Sequence, residues 1–430
     1  MREVPVVTVF LLRRGPGGDR VLLLRRSGAV GTYRGRWAGV SGYLEDDPLR
    51  QAMREVAEET GLGEEDVRLV RAGAPVHAPD PRLGRLWVVY PFLMQVRQGA
   101  QIRLDWEHVA ARWVRPASVF LYPTVPRLPE ALSAVYPLVP AEVEEVARTL
   151  AMDRRRGAGE LAMLALTALR EVAQKAPKAL RAAACLLARA RPGMPGIAMA
   201  IAHAYAAVRP SPDVADALSR HLSLRQEAGA RLVARGAEAL PAGTILTYSR
   251  SSTVEAIILA RRPQRVVVSE GRPLLEGVAL AHTLAQAGIP VTLVTEAQLG
   301  EALREAQAAL VGADAILPDG TVLNKVGTSS LALLCRRAGV PFLVAADSTK
   351  LLPPSPARHL LLEEGEAEEV AAHLPPLVEV RNRRFDLTPG RWVSAYLTEE
   401  GVMAPSQWRR LLPRAVRAWR ALLGRACDLG

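Results

Sequence analysis

The stretch DPLRQAMREVAEETG, residues 47–61, carries the most clearly marked helix of this 430-residue chain. Asp47 followed by Pro48 is a strong helix start, because aspartate accepts hydrogen bonds from free backbone N–H groups and proline fits the first helical position. The pair Thr60-Gly61 is typical of a helix end. The sequence therefore predicts a helix over residues 48–60.

Three glutamates of this helix are candidate ligands for a metal ion. Glu55, Glu58 and Glu59 stand at i, i+3 and i+4, so one helix face carries three carboxylates. A bound divalent cation would relieve their repulsion, and carboxylate oxygens suit Mg²⁺ or Mn²⁺. A solvated acidic helix face is the alternative that spacing alone leaves open.

The larger string, residues 42–62, resembles the signature of Nudix hydrolases, a glycine loop followed by a helix that ends Arg-Glu-hydrophobic-x-Glu-Glu-x-Gly-hydrophobic. The resemblance implies that the three glutamates bind metal or act as the base in phosphoanhydride hydrolysis. The loop is two residues shorter than the family's, and aspartate replaces glutamate as the partner of the loop arginine. By this resemblance the loop residues are Gly42, Asp46, Arg54 and Gly61.

Strand-like runs surround this helix and predict an α+β Nudix fold, a mixed sheet with the Nudix helix, over residues 1–125. Val6–Leu12 and Val21–Leu24, separated by a Gly-Pro-Gly-Gly turn at residues 15–18, predict a hairpin. Leu86–Val96 and Arg112–Val114 predict further strands. Residues 126–140 are punctuated by prolines and are interpreted as a linker.

The rest of the chain has two compositions. Residues 141–240 are rich in Ala, Leu and Arg at helical spacing, with breaks at 190–196 and 209–212, and predict a helical subdomain. Residues 241–430 alternate short β-branched runs with helical segments, which predicts an α/β parallel-sheet, Rossmann-like domain with ligands at the strand ends. The predicted strands are Arg265–Val268, Val291–Val294, Ala315–Leu317 and Phe342–Ala345, and the predicted helices are Thr253–Ala260, Leu275–Ala287 and Ser329–Ala338.

Several dispersed motifs of this second part contain residue types that bind phosphate. Backbone N–H groups at a glycine-rich helix start, with a nearby guanidinium, suit an anion. In a chain with two asparagines and four lysines, the adjacent Asn324 and Lys325 stand out. Helix caps, turn residues and surface charge are the alternatives. The candidate phosphosugar-binding residues are Arg156, Gly157, Ala158, Gly159, Arg191, Ser251, Ser252, Thr253, Asn324, Lys325 and Lys350.

In their order, these motifs resemble the family shared by initiation factor 2B regulatory subunits, methylthioribose-1-phosphate isomerases and ribose-1,5-bisphosphate isomerases, over residues 141–415. The resemblance implies a cysteine and an aspartate as acid–base partners in the isomerases. Asp314 is present, whereas Ser249 stands at the cysteine's place. Because an alcohol does not exchange protons near neutrality without a strong base, a domain that senses a sugar phosphate or nucleotide is favoured. An active aldose–ketose isomerase, which would make the chain bifunctional, and a non-enzymatic regulator are the alternatives.

The composition limits which partners, metal sites and cellular location are expected. The formal charge of +11 is spread along the chain without a basic block, so no specific nucleic acid is expected. Cys185, Cys335 and Cys427 have no metal-ligand spacing, and no apolar run reaches the roughly 18 residues of a membrane span. We expect a cytoplasmic protein that binds Mg²⁺ (or Mn²⁺), a nucleoside-diphosphate-type substrate and a sugar phosphate or nucleotide. The second resemblance implies a homodimer through the C-terminal domain.

Overall fold

The first part of the chain forms an eight-stranded mixed sheet with one long helix against it. The computed structural model describes residues 2–15, 18–80, 83–208, 211, 213–358, 360, 362–371, 373, 375 and 377–423. The elements of this first part are β1 (Arg2–Arg13), β2 (Arg20–Arg26), β3 (Trp37–Ala38), β4 (Val40–Tyr43), α1 (Pro48–Thr60), β5 (Val67–Ala72), β6 (Val76–Asp80), β7 (Arg85–Val96) and β8 (His108–Val114).

The sheet runs in the order β3-β2-β1-β7-β5, with β4 on β1, β6 on β7 and β8 on β2. The predicted hairpin is present, since β1 and β2 pair antiparallel with Leu12 opposite Val21, although Pro16 and Gly17 of its turn lie outside the described residues. β1 and β7 pair in parallel, which makes the sheet mixed as expected. α1 has the predicted bounds and packs on β4 and β1.

The stretch interpreted as a linker contains a buried helix, α2 (Leu128–Val135), which packs on β7. Leu128, Leu132 and Val135 are almost fully buried in one hydrophobic cluster. That cluster also contains Phe10 of β1 and residues of the helices that follow. The two halves of the chain therefore share a continuous core.

A group of helices follows, and it surrounds the apolar helix α6. The helices are α3 (Ala141–Met152), α4 (Ala158–Lys175), α5 (Leu180–Arg189), α6 (Pro195–Val208) and α7 (Val214–Ala239), joined later by α13 (Leu412–Leu422). The predicted break at 190–196 separates α5 from α6, and the break at 209–212 lies largely outside the described residues. Cys185 in α5 and Cys335 are buried, and Cys427 is not among the described residues.

The last part of the chain alternates strands with helices. Its elements are β9 (Thr244–Tyr248), α8 (Ser252–Arg261), β10 (Arg265–Ser269), α9 (Glu276–Gln286), β11 (Val291–Val294), α10 (Leu299–Ala302), β12 (Ala308–Val311), β13 (Ala315–Ile316), β14 (Val322–Lys325), α11 (Thr328–Ala338), β15 (Phe342–Ala345), α12 (Pro354–Arg358), β16 (Phe385–Thr388), β17 (Ala395–Thr398) and β18 (Gly401–Met403).

Seven of these strands form one sheet in the order β11-β10-β9-β12-β15-β17-β18, which is parallel except for the final pair. A separate antiparallel sheet has the order β13-β14-β16. The predicted strand Ala315–Leu317 is β13 of this small sheet, so its inclusion in the parallel sheet was wrong; Ala315 pairs antiparallel with Leu323.

Among the residues that the structure describes, no helix is both long and apolar enough to cross a membrane.

Candidate functional site

The helix α1 is fixed at both ends. The Asp47 carboxylate accepts hydrogen bonds from the backbone N–H groups of Leu49, at 3.0 Å, and Arg50, at 3.1 Å. Gly61 ends the helix with φ +67°, a conformation that favours glycine. The backbone that carries the glutamates of the last two turns is therefore held in place at both ends of the helix.

Glu59 is the most buried of the three predicted glutamates, with 2% of its surface exposed. Its Oε1 accepts a hydrogen bond of 3.0 Å from the Ser41 backbone N–H, and Oε2 lies 3.6 Å from His108 Nδ1. Oε2 is buried and has no hydrogen-bond partner within the described part of the chain. Burial raises the pKa of Glu59 well above its usual value, and the nearby carboxylates add to this effect.

Glu55 lies between α1 and the glycine loop. Gln51 donates a 2.7 Å hydrogen bond to its Oε1, and a Cβ on Gly42 would fall only 1.7 Å from the same oxygen. Burial raises the pKa of Glu55, and the charges of Glu58 and Glu107 act in the same direction. The missing side chain of Gly42 thus provides the space that this carboxylate occupies.

Glu55 and Glu58 line a cleft of about 490 Å³, and Glu107, the residue immediately before β8, lines it as well. Glu107 was not predicted as a site residue from the sequence. Its signal was weak, because only the tertiary fold brings the Asp105-Trp106-Glu107 segment to α1. The cleft therefore has at least three carboxylates on its walls.

The predicted partner of the loop arginine is present but loosely held. Arg54 Nη2 lies 3.9 Å from Asp46 Oδ2, and both side chains are about half exposed, at 46%. An exposed ion pair of this kind contributes little stability. Asp46 thus lies near Arg54, as the resemblance implied, without a tight hydrogen bond.

Oxygen ligands for Mg²⁺ are available here, although the described residues hold no preformed cluster of three or more acidic, histidine or cysteine side chains placed to bind a metal. Glu55 and Glu58 line the cleft, whereas Glu59 turns toward Ser41 and His108. Burial is the main cause of the raised pKa values of Glu55 and Glu59, and neighbouring carboxylates act in the same direction, so a cation bound in the cleft would lower both pKa values. The donor set therefore fits Mg²⁺ or Mn²⁺.

Aromatic side chains form another part of the cleft. Tyr33, Tyr43 and Trp87 lie together, with ring centroids of Trp87 6.2 Å from Tyr33 and 6.3 Å from Tyr43. Trp106 lines the same cleft and is 67% exposed. The cleft thus combines carboxylates with flat apolar surfaces, on which a nucleobase could stack.

A second cavity lies at the carboxyl ends of β9, β12 and β15, and all of the predicted phosphosugar-binding residues line it. The starts of α4 and α8 meet there, because a Cβ on Gly159 would lie 3.8 Å from the Ser252 hydroxyl. Arg156 is held by Asp153, whose carboxylate accepts a 2.7 Å bond from the Arg156 Nε. Two helix N-termini in one wall provide N–H donors for a phosphate.

Asp314 and Lys350 face the same cavity from the ends of β12 and β15. Burial raises the pKa of the Asp314 carboxyl, against the opposing charge of Lys350. Burial lowers the pKa of the Lys350 ammonium, against the opposing charges of Asp314 and Asp347. Burial therefore disfavours the charged form of each group, whereas the opposite charge nearby favours it.

Ser249 follows β9 with φ +59°, which is unusual for a residue with a side chain. Its hydroxyl donates a 3.4 Å hydrogen bond to Glu276 Oε2, and Lys325 Nζ lies 2.7 Å from Glu276 Oε1. Glu276 was not predicted as a site residue from the sequence. Its position at the start of α9, in the segment after the predicted strand Arg265–Val268, was the available signal.

Two further predicted residues have partners within the protein. The Asn324 amide donates a 3.0 Å hydrogen bond to the Thr328 hydroxyl. Arg191 donates two 3.0 Å hydrogen bonds to Glu363 and a third to the Asp153 carbonyl. Both residues still line the cavity, but internal contacts fix their orientation.

The fold and the two cavities define a protein with a carboxylate-lined cleft in an α+β domain and a basic, phosphate-type cavity in an α/β domain. The chain belongs to the Initiation factor 2 subunit family, whose model matches residues 154–405, and it carries a NUDIX domain that matches residues 2–135.

Relatives match the second part of the chain. A translation initiation factor eIF-2B subunit 2-like protein of Pyrococcus horikoshii is 34% identical over 277 residues, which cover 62% of this chain and 98% of that protein. A ribose 1,5-bisphosphate isomerase of Methanocaldococcus jannaschii is 31% identical and covers 58% of this chain and 87% of its own length. A methylthioribose-1-phosphate isomerase of Anaeromyxobacter is 35% identical, with 61% and 80% covered.

Solved structures agree with this assignment. The crystal structure of the Pyrococcus horikoshii translation initiation factor eIF-2B superposes with a TM-score of 0.54 at 30% identity, covering 63% of this chain and 99% of that one. The 5-methylthioribose 1-phosphate isomerase of the same organism gives 0.53 at 25% identity, covering 64% and 87%. The two family models thus confirm both resemblances, and the relatives and solved structures support the second one.

Proposed function

We propose that the first domain is a Mg²⁺-dependent hydrolase that cleaves the phosphoanhydride of a nucleoside-diphosphate-type compound. The single observation that carries this proposal is the Glu55 carboxylate seated against Gly42 beside Glu58, at the wall of a cleft that also has aromatic surfaces. In the reaction, water attacks one phosphorus atom, the P–O–P bond breaks, and each product keeps one phosphate.

We assign a role to each glutamate from its position relative to the cleft. Glu55 and Glu58 line the cleft and would hold the metal, which supplies charge neutralisation and a more acidic bound water. Glu59, buried behind them, orients the loop through the Ser41 N–H. Glu107 adds a carboxylate that can accept a proton from the attacking water.

The aromatic surfaces support the nucleoside part of this proposal. Tyr43 and Trp106 are 53% and 67% exposed, although both line the cleft. Exposed aromatic side chains can stack on a nucleobase, and the carboxylates can bind a metal ion that carries the diphosphate.

We propose further that the second cavity binds a sugar phosphate or nucleotide and no longer catalyses isomerisation. Support comes from the meeting of two helix N-termini at Gly159 and Ser252 and from the basic side chains around them. Ser249 provides an alcohol where the isomerases, by resemblance, have a thiol, and an alcohol needs a strong base to exchange protons.

The test is a hydrolysis panel on the full chain with nucleoside diphosphate sugars, dinucleoside polyphosphates and nucleoside triphosphates, with Mg²⁺ or with chelator. We expect Mg²⁺-dependent phosphate or nucleoside monophosphate release from at least one nucleoside-diphosphate-linked compound. No turnover of any compound by folded protein would overturn the hydrolase proposal. Ligand binding to the second cavity is measured separately, by thermal shift with sugar phosphates in the absence of Mg²⁺.

A further inference from the structure

Asp105 lies next to the wall of the cleft in the first domain without being part of that wall. Its neighbours Trp106 and Glu107 both line the cleft. One oxygen of the Asp105 carboxylate, Oδ1, accepts a 3.1 Å hydrogen bond from the Glu107 backbone N–H and a 3.2 Å hydrogen bond from His108 Nδ1. Because both bonds end on the same atom, Asp105 Oδ1 fixes the Glu107 backbone relative to the His108 ring.

His108 is buried and anchors the Asp105 carboxylate to the sheet. It is the first residue of β8, and only 5% of it is exposed. Because a carboxylate only accepts hydrogen bonds, the ring proton lies on Nδ1. Nε2 is buried and has no hydrogen-bond partner within the described residues, which suits the unprotonated nitrogen. Nδ1 also lies 3.6 Å from Glu59 Oε2, so the same ring contacts the buried glutamate of α1.

The carbonyl group of Glu107 is held as well. It accepts a 2.6 Å hydrogen bond from the backbone N–H of Ser27, which follows β2. Next to it, β8 contains one extra residue, Val109, between the partners of Arg25 and Arg26. Such bulges change the direction of a side chain and are common beside active sites. The hydrogen bonds and the bulge together therefore set the direction in which Glu107 leaves the backbone.

We propose that Asp105 is a positioning residue of the hydrolase site, which aims the Glu107 carboxylate at the attacking water. In the proposed reaction Glu107 accepts the proton of that water, and a proton acceptor must lie within hydrogen-bond distance of the proton that it takes. Asp105 acts on the reaction only through Glu107. This inference rests on the proposed hydrolase and adds the residue that orients its proton acceptor.

The experiment is steady-state hydrolysis of the best nucleoside-diphosphate-linked compound by the full chain. Asp105→Ala removes both hydrogen bonds and should lower kcat about tenfold or more with KM within about twofold, because Glu107 acts on the water and not in substrate binding. Asp105→Asn keeps an oxygen that can accept both bonds and should restore kcat to within about threefold of the unmodified value. The matched control is Asp319→Ala, which should keep the unmodified rate; Asp319 accepts a 2.9 Å bond from the Thr321 N–H, also two residues ahead, and lies outside the cleft.

A double-mutant cycle shows whether Asp105 acts through Glu107. Glu107→Gln alone should lower kcat about 100-fold, the usual contribution of a proton acceptor. In that background Asp105→Ala should change kcat less than about twofold, because the carboxylate that it positions is already gone. Mn²⁺ binding to the metal-free chain, measured by EPR, should stay within about twofold in Asp105→Ala, since Glu55 and Glu58 are unchanged.

Full kcat in the folded Asp105→Ala protein, or the same loss from Asp105→Ala with and without Glu107→Gln, would overturn the positioning role and leave the hydrolase proposal intact. An Asp105→Asn protein as slow as Asp105→Ala, or weaker Mn²⁺ binding in Asp105→Ala, would do the same, because Asp105 would then act through its charge or on the metal. No turnover of any compound by the folded unmodified protein would overturn the hydrolase proposal and this inference together.

Discussion

The Glu55 carboxylate lies where a side chain on Gly42 would be, because a Cβ at Gly42 would fall 1.7 Å from Glu55 Oε1. The two residues belong to different elements, β4 and α1, so this contact joins the strand to the helix. The glycine is needed for close approach, since a bulkier residue would push the carboxylate away from the loop.

The change Gly42→Ala should therefore displace Glu55 and lower kcat/KM for Mg²⁺-dependent hydrolysis by about 100-fold, a typical cost of disturbing a metal site. Steady-state kinetics measures this effect. Gly28→Ala, where an added Cβ meets nothing within 4 Å, is the control and should keep its rate. Equal rates for the two variants would show that the Gly42 contact has no catalytic role.

Acidification should destabilise the protein through His203, which is buried, and His221, which is half-buried. Burial lowers the pKa of His203 to about 3 and that of His221 to about 4, and the nearby charge of Arg414 acts in the same direction. Because the unfolded chain takes up these protons at about pH 6.5, the stability present at neutral pH is lost as the pH falls toward 4.

The measurement is the thermal unfolding midpoint between pH 7 and pH 4.5. His203→Gln should reduce the slope of midpoint against pH, whereas His282→Gln, at an exposed histidine, should leave it unchanged. A slope that is the same in all three proteins would contradict this assignment.

Glu363 forms ion pairs with Arg191 and Arg384, and its replacement should lower the stability of the protein. Glu363→Gln leaves the buried side chains of Arg191 and Arg384 short of a counter-charge, so we expect the free energy of unfolding to fall by about 3 kcal/mol. Added inorganic phosphate should raise the unfolding midpoint of this variant more than that of the unmodified protein. A smaller phosphate effect in the variant would argue against an anion among these arginines.

Ser249 should limit isomerase chemistry. The unmodified protein should form no ribulose 1,5-bisphosphate from ribose 1,5-bisphosphate, as followed by NMR, because its alcohol does not exchange protons near neutrality. Ser249→Cys should give detectable product, since a thiol with a pKa near 8.5 would lie in the same cavity as Asp314. Ser252→Cys, in another part of the lining, should give none. Turnover by the unmodified protein would show that the serine suffices.

Helix caps and hydrophobic patterns predicted those elements whose bounds are set by residues adjacent in the sequence. The bounds of α1 follow from Asp47 and Gly61, and both are seen. The strand Val76–Asp80 was missed because Pro79 interrupts its pattern, although it pairs with β7. Ala315 was placed in the wrong sheet because a short apolar run does not reveal its partner, which is Leu323 across an antiparallel ladder.

Contacts between distant segments escaped prediction for a related reason. Glu276 and Lys325 are 49 positions apart, and Arg191 and Glu363 are 172 apart. Arg384 stands next to Arg383 and two residues after Asn382, so the sequence presents it as one more surface arginine. Only the packing of β16 shows that Arg384 is buried while Arg383 is exposed.

The most direct test of the central claim compares Glu58→Gln with Glu64→Gln in Mg²⁺-dependent hydrolysis of the best nucleoside-diphosphate-linked compound. Both glutamates are exposed, but only Glu58 lines the cleft. We expect kcat to fall at least about 100-fold in Glu58→Gln and to stay within about twofold of the unmodified value in Glu64→Gln. Full activity in the folded Glu58→Gln protein would contradict the assignment of this cleft as a metal-dependent hydrolase site.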